Sequence, residues 1–257
     1  MSGVVMLGAF GGRDKNKGTT SLQVCESAVI DAGNLLSPLG RSARKINHVF
    51  LSHCHMDHLV DLPFLIDAFF AERTQPLNVY GLPHTLEMLK KHIFNGSIWP
   101  DFNAITLLNA RERAVSLHEL KPGKHYVVDG VQLTPFSTNH TVPSIGYLVD
   151  KQRGKLLFTS DTGACKEIWQ LLNNDEAIRS LIIETSFPSK MEQLAIASGH
   201  LTPKLLNEEL GNLQRDDVKI YINHFKPDFI VALKEELASF PRTRSAIMLD
   251  DGVEIEL

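Results

Sequence analysis

Three imidazoles and one carboxylate lie within the six residues from His53 to His58, in the order His-Cys-His-Met-Asp-His. The β-rich run His48–Ser52 ends immediately before them, so His53 and His55 project to the same side of an extended chain and can bind one ion together. Asp57 and His58 begin the turn that follows, where they can face a second ion. Imidazole and carboxylate together suit Zn²⁺, Fe or Mn²⁺. This segment therefore predicts a metal centre at the end of a β-strand.

Two ions need more ligands than this segment holds, and further candidates lie far along the chain. His140 comes where a predicted strand gives way to a loop, and Asp161 and His224 each follow another predicted strand. Open α/β sheets present their sites at the carboxyl ends of strands. We therefore expect His140, Asp161 and His224 to meet the first cluster at one sheet edge.

Short apolar runs and helix-period segments alternate along the chain, with no linker, repeat or low-complexity segment. The pattern predicts a β-meander followed by βα units, twice over, and hence one compact α/β domain of two packed sheets with helices outside. The glycine-rich stretch 8–18 predicts a hairpin turn, because it lacks the Gly-Lys-Ser/Thr ending and the following helix of a phosphate-binding loop. The predicted strands are Val4–Leu7, Leu22–Cys25, Ala28–Ile30, His48–Ser52, Leu77–Tyr80, Val131–Phe136, Ile145–Val149, Lys155–Thr159, Leu181–Ile183 and Val218–Ile222. The predicted helices are Leu59–Phe70, Thr85–Phe94, Lys166–Leu172, Thr202–Gly211 and Asp228–Leu237.

Composition excludes several classes of protein. The net charge of −4 argues against a strongly basic nucleic-acid binder that works by counterion release. Three scattered cysteines cannot form a disulfide framework, and 257 residues can bury a core without one. The amino-terminal residues lack the basic start of a signal peptide, and no run of about 18 apolar residues occurs. We expect a soluble, cytosolic (cytoplasmic) protein with no membrane segment.

The metal-ligand pattern set out above resembles that of the metallo-β-lactamase superfamily along nearly the whole chain. Within that superfamily the closer resemblance is to the class II cyclic-nucleotide phosphodiesterases. Met56 stands where the family pattern usually has leucine, a change of nearly equal volume. The stretches that carry the closer resemblance are Leu86–Phe102, which is fairly specific to that family, Ile182–Pro188 and Gly199–Leu210.

This resemblance implies a fold and a set of metal ligands. The fold is a four-layer αββα sandwich of the α/β (α+β) class, formed by residues 1–257 as a single domain, with a dinuclear centre on the edge between the sheets. Two divalent ions are expected, with Zn²⁺ first and Mn²⁺ or Fe as alternatives. By resemblance, His53, His55 and His140 hold the first metal, Asp57, His58 and His224 hold the second, and Asp161 bridges them.

The same resemblance singles out His200 and Glu184. His200 precedes a helix start in a pattern shared with ribonuclease Z relatives, in which the matching histidine donates a proton and a nearby carboxylate orients it. We expect His200 to be the general acid and Glu184 its supporting carboxylate. The alternative for Glu184 is a polar residue at a strand end. Asp57 is the third residue expected to act in catalysis, in addition to binding metal.

The substrate class also comes from the resemblance: 3′,5′-cyclic nucleotides, cyclic AMP or cyclic GMP, opened to 5′-monophosphates. Two metals that share a hydroxide would supply the nucleophile and neutralise the phosphate, while His200 would protonate the departing sugar oxygen. The expected partner is a small molecule, with no membrane and no nucleic acid. Homodimer formation is left open.

Three alternatives compete with this hypothesis. A ribonuclease Z-like RNA phosphodiesterase would need a basic, Gly/Pro-rich arm, which the sequence lacks. A hydrolase of lactones or thioesters would place a tyrosine near the metals, and none of the four tyrosines has a predicted position there. A non-catalytic sensor of cyclic nucleotides would lack a metal ligand, and none is missing.

Residues 83–103 are predicted to form a lid or insert near the active site. Phe94, Trp99 and Phe102 could stack on a nucleobase, and Asn95 offers amide hydrogen bonds to it. We therefore predict that the segment Phe94–Phe102 forms part of the substrate-side wall. The alternative is that these aromatic side chains pack the lid against the sandwich.

Overall fold

Two seven-stranded sheets form the centre of the protein in the computed structural model, which describes residues 3–257. The strands are β1 (Val4–Gly8), β2 (Ser21–Gln23), β3 (Ala28–Ile30), β4 (His48–Phe50), β5 (Leu77–Gly81), β6 (Val115–Glu119), β7 (Tyr126–Val128), β8 (Val131–Ser137), β9 (Ile145–Lys151), β10 (Gly154–Phe158), β11 (Ile178–Glu184), β12 (Lys219–Asn223), β13 (Ile247–Met248) and β14 (Val253–Ile255). The first sheet has the order β14-β1-β2-β3-β4-β5-β6, and the second has the order β13-β12-β11-β10-β9-β8-β7.

Both sheets are built by the same succession of connections. Strands β1 to β3, and likewise β7 to β10, pair as antiparallel neighbours. Strands β3 to β6, and likewise β10 to β13, pair as parallel neighbours, which require crossover connections. Strand β14 then returns to pair antiparallel with β1. The predicted order of a meander followed by βα units, twice over, is confirmed.

Helices cover the outer faces of the two sheets. Leu62 and Leu89, on two of these helices, are buried in one cluster with Val49 of β4. Between the sheets, the rings of Phe50 and Tyr147 meet edge-on at 6.2 Å. The four-layer αββα sandwich is therefore confirmed. The helices are α1 (Leu36–Leu39), α2 (Leu62–Phe69), α3 (Pro83–His92), α4 (Lys166–Asn174), α5 (Glu192–Ala197), α6 (Pro203–Glu209) and α7 (Ile230–Ser239).

Several short elements depart from the predicted ones. Strand β6, which contains His118, is not among the predicted strands. His118 stacks on Tyr80, and its Nε2 lies 2.9 Å from Asn78 Oδ1, so the polar side chains of β6 pair with those of β5. No helix among residues 3–257 combines the length and the apolar character needed to cross a bilayer.

The segment Phe94–Phe102 corrects another prediction. Phe94 and Phe102 are only 2% and 4% exposed and belong to the hydrophobic cluster that includes Val49 of β4, so they do not form a substrate wall. The Asn95 amide is also occupied, because its Oδ1 accepts from the backbone of Ser97 and Ile98 while its Nδ2 donates to Lys91 O. The alternative, in which these aromatic rings pack the lid against the sandwich, is confirmed for both phenylalanines.

Candidate metal centre and active site

The fold brings all the predicted metal ligands together in two adjacent groups. Within each group, the candidate ligand atoms all lie within 4.8 Å of one another. The first group comes from the turn after β4 and the loop after β8, and the second adds the ends of β10 and β12, so the two sheets contribute jointly. The first group is His53, His55 and His140, and the second is Asp57, His58, Asp161 and His224.

Asp161 lies between the two groups and faces each with a different oxygen. Its Oδ1 is 3.3 Å from His58 Nε2 and 3.1 Å from His224 Nε2. Its Oδ2 is 3.8 Å from His53 Nε2 and 3.9 Å from His140 Nε2. One carboxylate therefore serves both groups, which is the arrangement a bridging ligand requires.

The histidine tautomers are set by hydrogen bonds on the side of each ring away from the centre. His58 Nδ1 donates to Asp31 Oδ2 at 2.7 Å, and His140 Nδ1 donates to Gly199 O at 2.9 Å. His224 Nδ1 lies 2.9 Å from Ser186 Oγ. A ring that donates from Nδ1 presents the lone pair of Nε2 on its other side, which is the form that binds a metal.

Several of the inward-facing atoms have no hydrogen bond from any residue between 3 and 257. His53 Nε2, His58 Nε2, His224 Nε2 and Asp161 Oδ1 are buried, and no hydrogen bond reaches them from the described residues. Leaving a buried polar atom unpaired costs free energy, so such atoms normally have a partner. Several lone pairs that converge on one small space fit divalent cations, and the residues present therefore fit the metals that the fold implies.

The charges of the second group also fit a bound cation. Burial opposes the charged form of His58, but Asp161, Asp31 and Asp57 outweigh it and raise the pKa of His58 well above its ordinary value. Burial also opposes ionisation of Asp161, yet His224 and His58 hold the pKa of that carboxyl well below its ordinary value. The ionised carboxylates of the second group therefore stabilise a positive charge placed between them.

The first group favours neutral imidazoles. Burial, followed by the neighbouring His58, lowers the pKa of His53 well below its ordinary value. Burial and the facing His140 lower the pKa of His55. Since only a neutral imidazole has a lone pair to donate, these shifts prepare the rings to bind a metal.

Asp31 is a functional residue that sequence reasoning missed. It is fully buried at the end of β3, where it accepts from Ser52 N and Ser52 Oγ, both at 2.8 Å, as well as from His58. Ser52 Oγ in turn lies 2.9 Å from His53 Nδ1. One carboxylate therefore orients a histidine of each group. The available signal was an aspartate directly after the buried run Ala28–Ile30, in a strand parallel to β4.

Glu184 and His200 form a buried pair beside the metal ligands. Glu184 Oε1 lies 2.6 Å from His200 Nδ1, and Glu184 also accepts from Thr162 N at 3.2 Å and Ser186 Oγ at 2.9 Å. Burial opposes the charged form of the histidine, but Glu184 outweighs it and raises the pKa of His200. The structure brings the two residues together as the resemblance implied.

The ring of His200 is close to ligands of both groups. Its centroid is 5.0 Å from that of His140 and 5.2 Å from that of His224. His200 also has a ligand atom within 4.8 Å of His140 and Asp161. Because its Nδ1 is bonded to Glu184, the Nε2 side of the ring is the one left to interact with a bound molecule.

Gly11 makes room for one of the metal ligands. A Cβ at Gly11 would lie 2.5 Å from His224 Cε1 and 2.8 Å from the His224 carbonyl oxygen. The backbone fixes this approach, since His224 N donates to Ala9 O at 2.6 Å and Gly11 N donates to Phe225 O at 3.0 Å. The hairpin loop between β1 and β2 therefore supports the His224 ring directly.

An αββα sandwich with a histidine group and a histidine–aspartate group at the edge of its sheets is the metallo-β-lactamase fold. The sequence matches the Beta-lactamase superfamily domain over residues 28–222, which is more than half of the chain. The chain therefore belongs to the β-lactamase superfamily.

Relatives with curated names fall into two groups. The chain is 28% identical over 195 residues to 3′,5′-cyclic-nucleotide phosphodiesterase 1 of Saccharomyces cerevisiae, covering 65% of this chain and 51% of that protein. It is 24% identical to a probable 3′,5′-cyclic-nucleotide phosphodiesterase of Yersinia pestis, covering 79% of this chain and 64% of that protein. It is 32% identical over 111 residues to ribonuclease Z of Pyrococcus abyssi, covering 42% of this chain and 32% of that protein. The chain thus spans between about a third and two thirds of the length of these relatives.

The fold is also similar to that of a solved structure. The crystal structure of unliganded yeast PDE1 superposes with a TM-score of 0.78 at 20% identity, covering 96% of each chain. At this level of identity the comparison supports the fold.

Proposed function

We propose that the protein is a metal-dependent phosphodiesterase that hydrolyses 3′,5′-cyclic nucleotides to 5′-monophosphates. The observation that carries this proposal is the Glu184–His200 pair, at 2.6 Å, beside two groups of metal ligands. A sugar oxygen is a poor leaving group unless it is protonated, so a phosphodiesterase of this kind needs a proton donor next to its metals. The similarity to the yeast and Yersinia phosphodiesterases supports the substrate class.

The proposed division of roles follows from the contacts of each residue. His53, His55 and His140 would hold one ion, Asp57, His58 and His224 the other, and Asp161 both, with Zn²⁺ the expected metal. When bound, two such ions supply an activated nucleophile and neutralise charge on the phosphate oxygens.

His200 would deliver its proton from Nε2 to the departing 3′-oxygen. Glu184 stabilises the charged ring through Nδ1, as the raised pKa of His200 indicates. Glu184 is itself fixed by Ser186 and by the backbone of Thr162, so the His200 ring is held in one orientation before substrate arrives.

Three of the four tyrosines weigh against the lactone or thioester alternative. The hydroxyl of Tyr147 donates to Leu51 O at 2.7 Å inside the core. The Tyr80 hydroxyl lies 3.2 Å from His48 Nδ1, and the Tyr126 hydroxyl accepts from Lys121 N at 2.9 Å. These three hydroxyls are engaged outside the metal centre, where they cannot polarise a carbonyl.

An assay of the metal-loaded protein tests the proposal against its rivals. We expect cyclic AMP or cyclic GMP to be converted to the 5′-monophosphate, as identified by chromatography against the 3′-isomer. A transfer-RNA precursor with a 3′ trailer should remain uncut. Cleavage of the precursor with no turnover of either cyclic nucleotide would establish the ribonuclease Z alternative, and turnover of lactones alone would establish the other.

A further inference from the structure

A cavity of about 370 Å³ opens beside His200 and continues away from the metal ligands. His140 and His200 line its inner end, and Glu208 and Glu209 line its wall on α6. His200 is only 8% exposed, and no described residue is bonded to its Nε2. Because His200 lines the cavity and its Nδ1 is bonded to Glu184, a molecule bound in the cavity can reach the other side of its ring.

The residues that line the cavity extend from His200 to the last residues of α6. Helix α6 begins at Pro203, three residues after His200, and Glu208 and Glu209 are at its other end. At the rise of an α-helix, these carboxylates lie roughly 8–9 Å farther along the helix than Pro203. A group that leaves with a proton from His200 would therefore have the rest of its structure alongside α6.

The walls of the cavity are apolar near His200 and anionic farther away. Ile196, Leu201 and Leu205 supply the apolar surface, on which a planar ring can pack. No lysine or arginine is present among its described lining residues, so nothing there would neutralise an additional phosphate. The lining of the cavity therefore favours an uncharged group and repels a second phosphate.

Glu209 is held in place as a hydrogen-bond acceptor. Its Oε2 accepts from the indole Nε1 of Trp169 at 2.7 Å, and Trp169 is only 3% exposed. The rest of the carboxylate lines the cavity, whereas Glu208 beside it is exposed. An ionised carboxylate only accepts hydrogen bonds, so its partner must carry an N–H or O–H group, such as the amino or imino group of a nucleobase or a ribose hydroxyl.

We propose that this cavity binds the nucleoside part of the substrate, that Glu209 accepts a hydrogen bond from it, and that Glu208 and Glu209 exclude substrates with a further phosphate on that side. The inference rests on the proposed function, since it names the part of a cyclic nucleotide that enters the cavity. It adds a reason why a mononucleotide is preferred to an RNA strand, whose next phosphate would meet two carboxylates.

Binding of reaction products tests the role of Glu209 without depending on turnover. In the metal-loaded protein, Glu209→Gln should weaken the binding of 5′-AMP or 5′-GMP about tenfold by calorimetry, because a charge-assisted hydrogen bond is replaced by a neutral one. Inorganic phosphate should bind equally to both proteins. Trp169→Phe removes the indole N–H together with one ring of this buried side chain. It should raise KM for cyclic nucleotides with little change in kcat. Glu235→Gln on α7 is the control for loss of one charge, since Glu235 is exposed and outside the cavity.

Two dinucleotides test the exclusion of a second phosphate. ApA and pApA differ by one 5′-phosphate on the nucleoside that leaves with the 3′-oxygen. The wild-type protein should favour ApA, and the double variant Glu208→Gln, Glu209→Gln should reduce that preference about tenfold or more, whereas Glu235→Gln should retain it. If nucleotides bind no more tightly than phosphate, or the glutamine variants match the control in both measurements, the inference is wrong. If the protein does not hydrolyse cyclic nucleotides but Glu209→Gln still weakens 5′-AMP binding, only the proposed function is contradicted.

Discussion

At the scale of single residues, the two carboxylate oxygens of Asp161 carry the proposal of a shared metal ligand. Each oxygen faces the imidazoles of a different group, at distances from 3.1 to 3.9 Å. No other described residue faces both groups in this way. Removing this one side chain therefore takes a ligand from two sites, while removing a terminal histidine takes a ligand from one.

Asp161→Ala is expected to lose both metals and the hydrolytic activity together. Elemental analysis after purification in metal-supplemented buffer should fall from two ions per chain to fewer than one. Asp67→Ala, which removes an exposed carboxylate on α2, is the matched control and should retain both ions. Two retained ions in Asp161→Ala, or full activity in protein that holds one ion or none, would show that Asp161 is not a bridging ligand.

His200→Ala is expected to retain both metals and a nearly normal KM for a cyclic nucleotide. Its kcat should fall roughly 10²–10⁴-fold, the usual contribution of a general acid. The loss should be much smaller for bis(4-nitrophenyl) phosphate, whose leaving group needs little protonation. His92→Ala, at an exposed position on α3, serves as the control. Equal losses on both substrates would mean that His200 positions the phosphate and does not protonate the leaving oxygen.

At the scale of elements, the hairpin loop between β1 and β2 acts as a support for the metal centre. This loop was predicted as a turn, and the antiparallel pairing of β1 with β2 confirms a hairpin. Its further role comes from the close approach of Gly11 to the His224 ring. Asp251, next to β14, fixes the loop by accepting from Ala9 N at 2.8 Å and Gly18 N at 2.7 Å.

Gly11→Ala should displace the His224 ring, since the added methyl group would overlap it at 2.5 Å. We expect metal affinity to fall roughly 10–100-fold, as it does when the surroundings of a ligand are disturbed. Competition with a chromogenic chelator measures this change. Gly211→Ala, where the nearest atoms are 3.6 Å away, should bind metal as the wild type does. Unchanged affinity in Gly11→Ala would show that the loop moves freely.

At the scale of the whole molecule, the metal centre connects the two sheets. Residues 53–58 follow a strand of the first sheet, whereas His140, Asp161 and His224 follow strands of the second. Ions bound between them stabilise the folded chain and have no comparable site in the unfolded chain. Metal binding is therefore linked to the stability of the sandwich.

Removal of metal with a chelator is expected to lower the Tm by roughly 10–20 °C. Two sites, each at about 100 times its Kd, contribute about 5 kcal/mol, and a chain of this size shifts by about 2–4 °C per kcal/mol. Differential scanning calorimetry with and without EDTA measures the shift. Asp161→Ala should show almost no shift of Tm on addition of EDTA. An unchanged Tm of the wild-type protein with EDTA would contradict the linkage.

The sequence predicted the fold and placed the candidate ligands at strand ends, because both predictions use patterns that are visible along the chain. Side chains at strand ends are placed by the direction of parallel strands, and a histidine cluster is visible without a structure. Asp31 was missed because its role depends on Ser52 and His58 in a neighbouring strand. The phenylalanines of the lid were misassigned because an aromatic side chain fits a core as well as a binding wall, and only its surroundings distinguish the two.

Three residues at the site have a backbone conformation that costs stability. Asp31, Ser160 and His224 have φ values of 60°, 53° and 63°, in the left-handed region that glycine adopts most easily. Each such residue costs roughly 1–3 kcal/mol and persists where its side chain is needed. Selection for metal binding would keep these residues in place despite that cost. A homologue that no longer binds metal should therefore accumulate glycine at these positions and become more stable. Glycine at these positions would help to recognise inactive members of the superfamily.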